Sequence, residues 1–199
     1  MPLWVAACAK SAVKKLVDLP FENYEFIKIP NRDNDERLKV HSAGFIQGYD
    51  SVLAITFVNS GLNLDLTNNL EIWTIVTFIK EINKDTKELI EIVPGYGVGI
   101  YSKTSKICIS SYAKEILKAN LLEFIPNGCK LRLEIIFPKG KFLAERTSNK
   151  SFGVVDGLSV IGTTAETHLS ASPDQLKNAK DKLKEVLSLH SHEAITFVI

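Results

Sequence analysis

Between positions 152 and 164 the chain bears a single charge, Asp156, and three glycines, Gly153, Gly157 and Gly162, set around the apolar run 158–161. Small hydroxyl residues share the stretch: Ser159, Thr163 and Thr164. A strand-like apolar run bounded by glycines lets something approach its main chain closely, either another backbone or a ligand. On residue type alone both readings stand: a tightly packed strand crossing whose hydroxyls satisfy local backbone groups, or a ligand-contacting edge.

A second glycine cluster, Gly95-Tyr-Gly-Val-Gly99, follows an apolar strand pattern over 88–93. A G-x-G-x-G loop holds a nucleotide or S-adenosylmethionine when a helix follows it, because the first-turn amides then point at the ligand. The residues that follow, Ile100-Tyr-Ser-Lys-Thr-Ser, are not helix-like. The common nucleotide-loop reading is therefore set aside in favour of a turn or strand that needs glycine geometry. Lys103 beside it is either a partner for a carboxylate or a solvated surface lysine.

Patterning at the helical period marks 3–17, with Leu3, Ala6, Ala7, Val13, Leu16 and Val17 on one side and Lys10, Lys14 and Lys15 on the other. It marks 110–124 as well. A third helix starts at Ser172, with Pro173 at the first helical position and Gln175 closing a capping box. Strand patterning covers 24–29, 38–47, 52–59, 72–83, 88–93 and 130–137, with 142–145 returning antiparallel to the last of these. The final residues, 193–199, read as an apolar strand entered from a helix, and an uncovered strand there favours self-association as a homo-oligomer. Strands and helices in this order give an α+β fold: a mixed or antiparallel sheet with helices on one side.

The bulk numbers narrow the function. Lys and Arg total 24 against 23 Asp and Glu, which argues against a nucleic-acid binder acting by bulk charge. No apolar run approaches the ~18 residues of a membrane span. Cys8, Cys108 and Cys129 are odd in number and far apart, as in a reduced cytoplasmic protein without a disulfide framework. Cys8 and Cys108 have no adjacent His and Asp pattern that would make them nucleophiles. His190 and His192 suit the end of a helix better than a metal site, for which no third ligand lies near.

Four segments together resemble the cobalt-precorrin-5B C(1)-methyltransferase family of anaerobic cobalamin biosynthesis. Thr147, Asn149, Gly153, Gly157, Ser159, Ile161, Gly162, Thr163 and Thr164 match its signature. The chain departs from it at Ser151, where the family has arginine, at Asp156, where it has glycine, and at Ala165, Glu166 and Thr167. The stretch 94–103 resembles a second family motif. The alanine-rich start, 4–12, and 61–67 match more weakly, the latter keeping Asp65 and Thr67 but not the other two acids.

The resemblance implies a first half, 1–165, similar to the second-domain fold of ribosomal protein S5. It also implies the start of a Rossmann-like second domain over 166–199, so that the sequence reads as truncated after its first half. It implies methyl transfer from S-adenosylmethionine, as co-substrate, to C-1 of a corrinoid, giving cobalt-precorrin-6A. Cobalt enters only as part of the substrate, and no metal site, nucleic acid or membrane partner is expected. The candidate contacts are Gly95, Gly97, Gly99, Lys103, Arg146, Thr147, Asn149, Gly157, Ser159, Gly162, Thr163 and Thr164; no catalytic base is assigned. Arg146 is a candidate for pairing with substrate acids, or for an ordinary surface ion pair. The competing readings are a homologue that binds corrinoid or a partner chain without turnover, and a phosphate-binding α+β domain.

Overall fold

The computed structural model describes residues 1–46, 48, 50–60, 66–80, 88–162, 180–181 and 183–184. The chain divides into two compact units, Met1–Ala165 and Glu166–Ile199. In the second, the described residues are helical. The expected cap at Ser172, the strand over 193–199, His190 and His192 all lie outside the described residues, as do Thr163, Thr164 and Asp65.

Helix α1 (Pro2–Leu16) opens with proline, whose missing N–H costs nothing in a first turn, and ends on Lys14 and Lys15, which oppose the negative end of the helix dipole. The strands are β1 (Tyr24–Ile27), β2 (Glu36–Lys39), β3 (Ser42–Ile46), β4 (Ser51–Phe57), β5 (Glu71–Lys80), β6 (Ile90–Pro94), β7 (Gly97–Val98) and β8 (Ile100–Tyr101). Helix α2 (Ser111–Leu121), strand β9 (Cys129–Ile136), helix α3 (Gly140–Ala144), and strands β10 (Val154–Val155) and β11 (Gly157–Leu158) complete the unit. Ser110 caps α2, its Oγ accepting the Ala113 N–H at 3.2 Å.

The main sheet runs β3-β4-β5-β9-β6, antiparallel except for the parallel pair β6 and β9, so the expected mixed sheet is present. Its register places Phe45, Val52, Val76, Leu133 and Ile92 in one row across all five strands. Strict alternation sends these side chains to the covered face, where α1 lies against β3, β4 and β5 and α2 packs against α1. The other face carries half-buried Leu53, Ile55, Trp73 and Ile75.

Two expected elements come out differently. The stretch 38–47 is not one strand: β2 pairs with β1 in a separate ribbon, and β3 enters the main sheet. The chain changes partner at Val40 and His41, whose amides bond to Asn23 and Ile55. The core-facing positions slip by one residue here, from Leu38 and Val40 to Ala43 and Phe45. The stretch 142–145 belongs to α3 and does not return antiparallel to β9; its turn is closed by Gly140 N–H to Phe137 O at 2.7 Å, and the helix lies on β7 and β11.

Helix α1 also corrects the placement of Lys10 on a solvent face. The helix is enclosed on more than one side, by the sheet, by α2 and by β1. Lys10 is 9% exposed, its ammonium donating to Phe26 O at 2.7 Å, and burial holds its pKa below the usual lysine value. Next to it Glu25 is buried and compensated by Ser11 Oγ at 3.0 Å and Lys14 Nζ at 3.2 Å. Asn120 of α2 closes the other side: it accepts from Lys28 N–H at 2.8 Å and donates to Lys28 O and Ile116 O, each at 2.9 Å.

Cys8 lies at the centre of this packing, its thiol accepting from Thr74 Oγ1 at 3.3 Å. Burial pushes it from 9.0 up to about 12. The folded chain thus holds this proton more tightly than the unfolded one, so the contribution to stability is complete below pH 9.0 and is lost as pH rises through about 12. Cys108 is buried as well, whereas Cys129 is partly accessible. At neutral pH an aromatic disulfide reagent is expected to label Cys129 in the native protein and the other two thiols only in denaturant. Native-state labelling of Cys8, read by peptide mass mapping, would overturn the closed core.

Candidate active site

The two glycine clusters meet. Strand β6 continues past Pro94 along the end of β9, with Gly95 N–H bonded to Ile135 O at 2.8 Å and Phe137 N–H to Tyr96 O at 2.9 Å. At Gly97 the backbone turns through φ +76°, a conformation that suits glycine. From there β7 runs parallel to β11, and β8 antiparallel to β10. No helix follows the loop, as its sequence requires. Further bonds braid the segments: Gly99 N–H to Leu158 O at 2.7 Å, Cys108 N–H to Gly99 O and Val160 N–H to Cys108 O, both at 2.8 Å.

Each glycine here has a backbone pressed against it. A Cβ on Gly157 would run into the Gly97 carbonyl, and one on Gly97 into the Phe137 carbonyl and Gly140. One on Gly99 would meet Gly157 O at 2.9 Å, and one on Gly95 would meet Ile135 O at 2.8 Å. The structure therefore accounts for Gly95, Gly97, Gly99 and Gly157 as a backbone-to-backbone crossing. Gly140, whose would-be Cβ runs into the Gly97 carbonyl, is a member of the same cluster.

The hydroxyl and amide candidates also have local partners. Thr147 Oγ1 donates to Ala144 O at 2.8 Å and accepts the Asn149 N–H at 3.3 Å. Asn149 Nδ2 donates to Gly157 O at 3.1 Å, tying the 149–152 turn to β11. Gly162 O accepts from Ser110 Oγ at 3.1 Å, which fixes the end of this segment to the start of α2. Ser159 is buried at 5% exposure. Lys103 and Arg146 are exposed.

Two clefts open beside the crossing. The smaller, about 180 Å³, is lined by Lys141, Glu145, Asn149, Lys150, Asp156 and Gly157 among others. There Lys141 pairs with Asp156 at 3.7 Å and lies 5.0 Å over the Tyr96 ring. The larger, about 530 Å³, lies between Tyr101–Thr104 and the turn Ser151–Gly153. Tyr101, Phe152 and Lys150 are not among the candidates drawn from the sequence; the signal available for the two aromatics was their place inside the glycine-containing motifs, Phe152 next to Gly153 and Tyr101 two residues after Gly99. The segments 95–110 and 137–162 carry six lysines and arginines against two acids, a surplus of four, although the whole chain is only +1. The crossing is thus a local basic surface on a nearly neutral chain.

A family model described as CbiD matches residues 1–168, which include the helix α1, the sheet and the whole crossing. This chain belongs to the CbiD family. Among its CbiD relatives, a protein of Prochlorococcus marinus (strain MIT 9515) named cobalt-precorrin-5B C(1)-methyltransferase is 63% identical over 201 residues, covering 100% of this chain and 54% of the relative. A protein of the same name from Prochlorococcus marinus subsp. pastoris (strain CCMP1986 / NIES-2087 / MED4) is 60% identical with the same coverage, and one from strain MIT 9303 is 40% identical, covering 92% of this chain and 50% of the relative. The chain spans about half the length of these curated relatives. The crystal structure of the cobalamin biosynthesis protein cbiD from Archaeoglobus fulgidus shares the fold, with a TM-score of 0.59 and 21% identity over 92% of this chain and 57% of that one. Among the described residues no helix is long and apolar enough to cross a membrane.

Proposed function

We propose that this chain serves the methylation of cobalt-precorrin-5B at C-1, with S-adenosylmethionine as donor and cobalt-precorrin-6A as product, in cytoplasmic cobalamin biosynthesis. The observation that carries the reading is 63% identity along the entire chain to a protein of that name. Identity of this extent favours the catalytic reading over a corrinoid-binding homologue without turnover.

The chemistry asks little of titratable groups. The donor is already activated as a sulfonium and the nucleophile is an electron-rich carbon of the macrocycle, so the protein has mainly to align the two and exclude water. A rigid crossing under a basic surface supports that role, because the substrate's acetate and propionate groups need cations and amides to receive them. In this reading Lys103 and Arg146 are the charged contacts, and Ser159, Thr163 and Thr164 are kept as candidate contacts. The glycines, with Thr147 and Asn149, hold the backbone in place. A likeness of the first unit to the second domain of ribosomal protein S5, and a Rossmann-like fold beginning at Glu166, belong to the same proposal.

Calorimetric titration with S-adenosylhomocysteine, with and without a cobalt-corrinoid analogue, tests it. Binding of both ligands is the expected result. Corrinoid binding alone would place the donor pocket beyond these residues, and binding of neither would sink the catalytic reading for this chain.

A further inference from the structure

We infer that the 530 Å³ cleft beside the crossing receives an acid-bearing edge of the corrinoid, with Phe152 and Tyr101 against its flat face and Lys103 on a carboxylate. The inference rests on the corrinoid reading above and locates the substrate within it.

Phe152 is 76% exposed, an unfavourable place for a side chain whose burial is worth roughly 2 kcal/mol. It is not on a loose end. Its turn closes through Gly153 N–H to Lys150 O at 3.0 Å with Gly153 at φ +71°, and is pinned to the opposite wall by Ser102 N–H to Gly153 O at 2.9 Å. That wall is equally fixed: Tyr101 pairs with Val154 in register, and its carbonyl takes the Ser105 N–H at 2.8 Å. Tyr101, 44% exposed, therefore lines the cleft from a fixed strand. Two aromatic rings held open by rigid turns are pre-organised for a planar partner.

The polar lining gives the partner's charge. Lys103, Ser102, Thr104 and Ser151 line the cleft, and among the described residues no carboxylate does. An ammonium with three hydroxyls suits carboxylate oxygens. It does not suit the methyl donor, which is itself a net cation. The volume falls within the range of small-molecule sites, and one edge of a macrocycle with its acid arms fills it, the rest of the ring lying over the basic surface.

The test is titration of the 199-residue chain with cobyrinic acid, a cobalt corrin with free carboxylates, followed by corrin absorbance. Cobinamide, in which the peripheral acids are amides, and S-adenosylhomocysteine are titrated in parallel. Both positions are exposed, so Phe152→Ala and Lys103→Gln are expected to keep the wild-type melting temperature. Each should weaken cobyrinic acid binding about tenfold, while Phe152→Trp and Lys103→Arg retain it. Lys103→Gln should also reduce the preference for cobyrinic acid over cobinamide. Unchanged cobyrinic acid binding in both variants would place the corrinoid elsewhere and overturn the inference while leaving the proposed function standing. Loss of S-adenosylhomocysteine binding alone would assign the cleft to the donor and overturn it equally. A wild-type chain that binds no cobyrinic acid would overturn both readings.

Discussion

Gly157→Ala is expected to cost the first unit about 3 kcal/mol, a fall in melting temperature of roughly 10 °C. The added Cβ would occupy the position of the Gly97 carbonyl and approach Val98 N at 2.7 Å, and all the atoms it meets are backbone. Neither strand has a flexible side chain to move aside, so β7 and β11 would have to separate and lose their pairing. Gly97→Ala should be worse, because its positive φ adds about 1–2 kcal/mol of left-handed strain to a backbone collision of its own, with the Phe137 carbonyl and Gly140. Two other glycines calibrate the series. Gly128 has φ +78° with open space around it, so its alanine variant should pay the conformational cost alone; Gly44 has nothing within 4 Å of its would-be Cβ, so its variant should be near neutral. Thermal unfolding followed by circular dichroism ranks the four. If Gly157→Ala melts with Gly44→Ala, the crossing is not as tightly closed as described.

Asn120→Leu carries the second large effect, about 3 kcal/mol. Leucine keeps the volume in a site that is 0% exposed but makes none of the three hydrogen bonds. Two of them satisfy both backbone groups of Lys28, at the end of β1, so the substitution strands a donor and an acceptor where α2 meets the ribbon. The Lys28 side chain itself pairs with Glu123 at 3.3 Å, with both partners about half exposed, and Lys28→Ala should change stability by less than about 1 kcal/mol. Equal effects of the two substitutions in urea unfolding would show that the buried clamp contributes no more than the surface pair.

Strand positions were readable because one face of each is covered. Alternation in β4, β5 and β9 gives Val52, Ala54, Ile72, Val76, Leu131 and Leu133 to the core, and that period is written in the residues. The split of β2 from β3 was not assigned: the core-facing positions shift phase from Leu38 and Val40 to Ala43 and Phe45, and a phase shift alone does not name the new partner strand. The burial of Lys10 was hidden for a related reason. A helical projection shows which side of α1 is apolar, but not that β1 and α2 close over the other side and offer the Phe26 carbonyl to the ammonium.

The sequence by itself determined that two glycine-rich segments each needed a close neighbour, that the 95–99 loop was not a nucleotide loop, and which family these motifs resemble. Those are properties of local residue type and spacing. Only the tertiary structure decided that the two segments are each other's neighbours, that Gly140 joins them, and that Tyr101 and Phe152 face one cleft with Lys103. A glycine carries no side chain whose shape or charge could name its partner. Contacts between backbones far apart in the chain are therefore fixed by the packing of the whole sheet and not by the residues that make them.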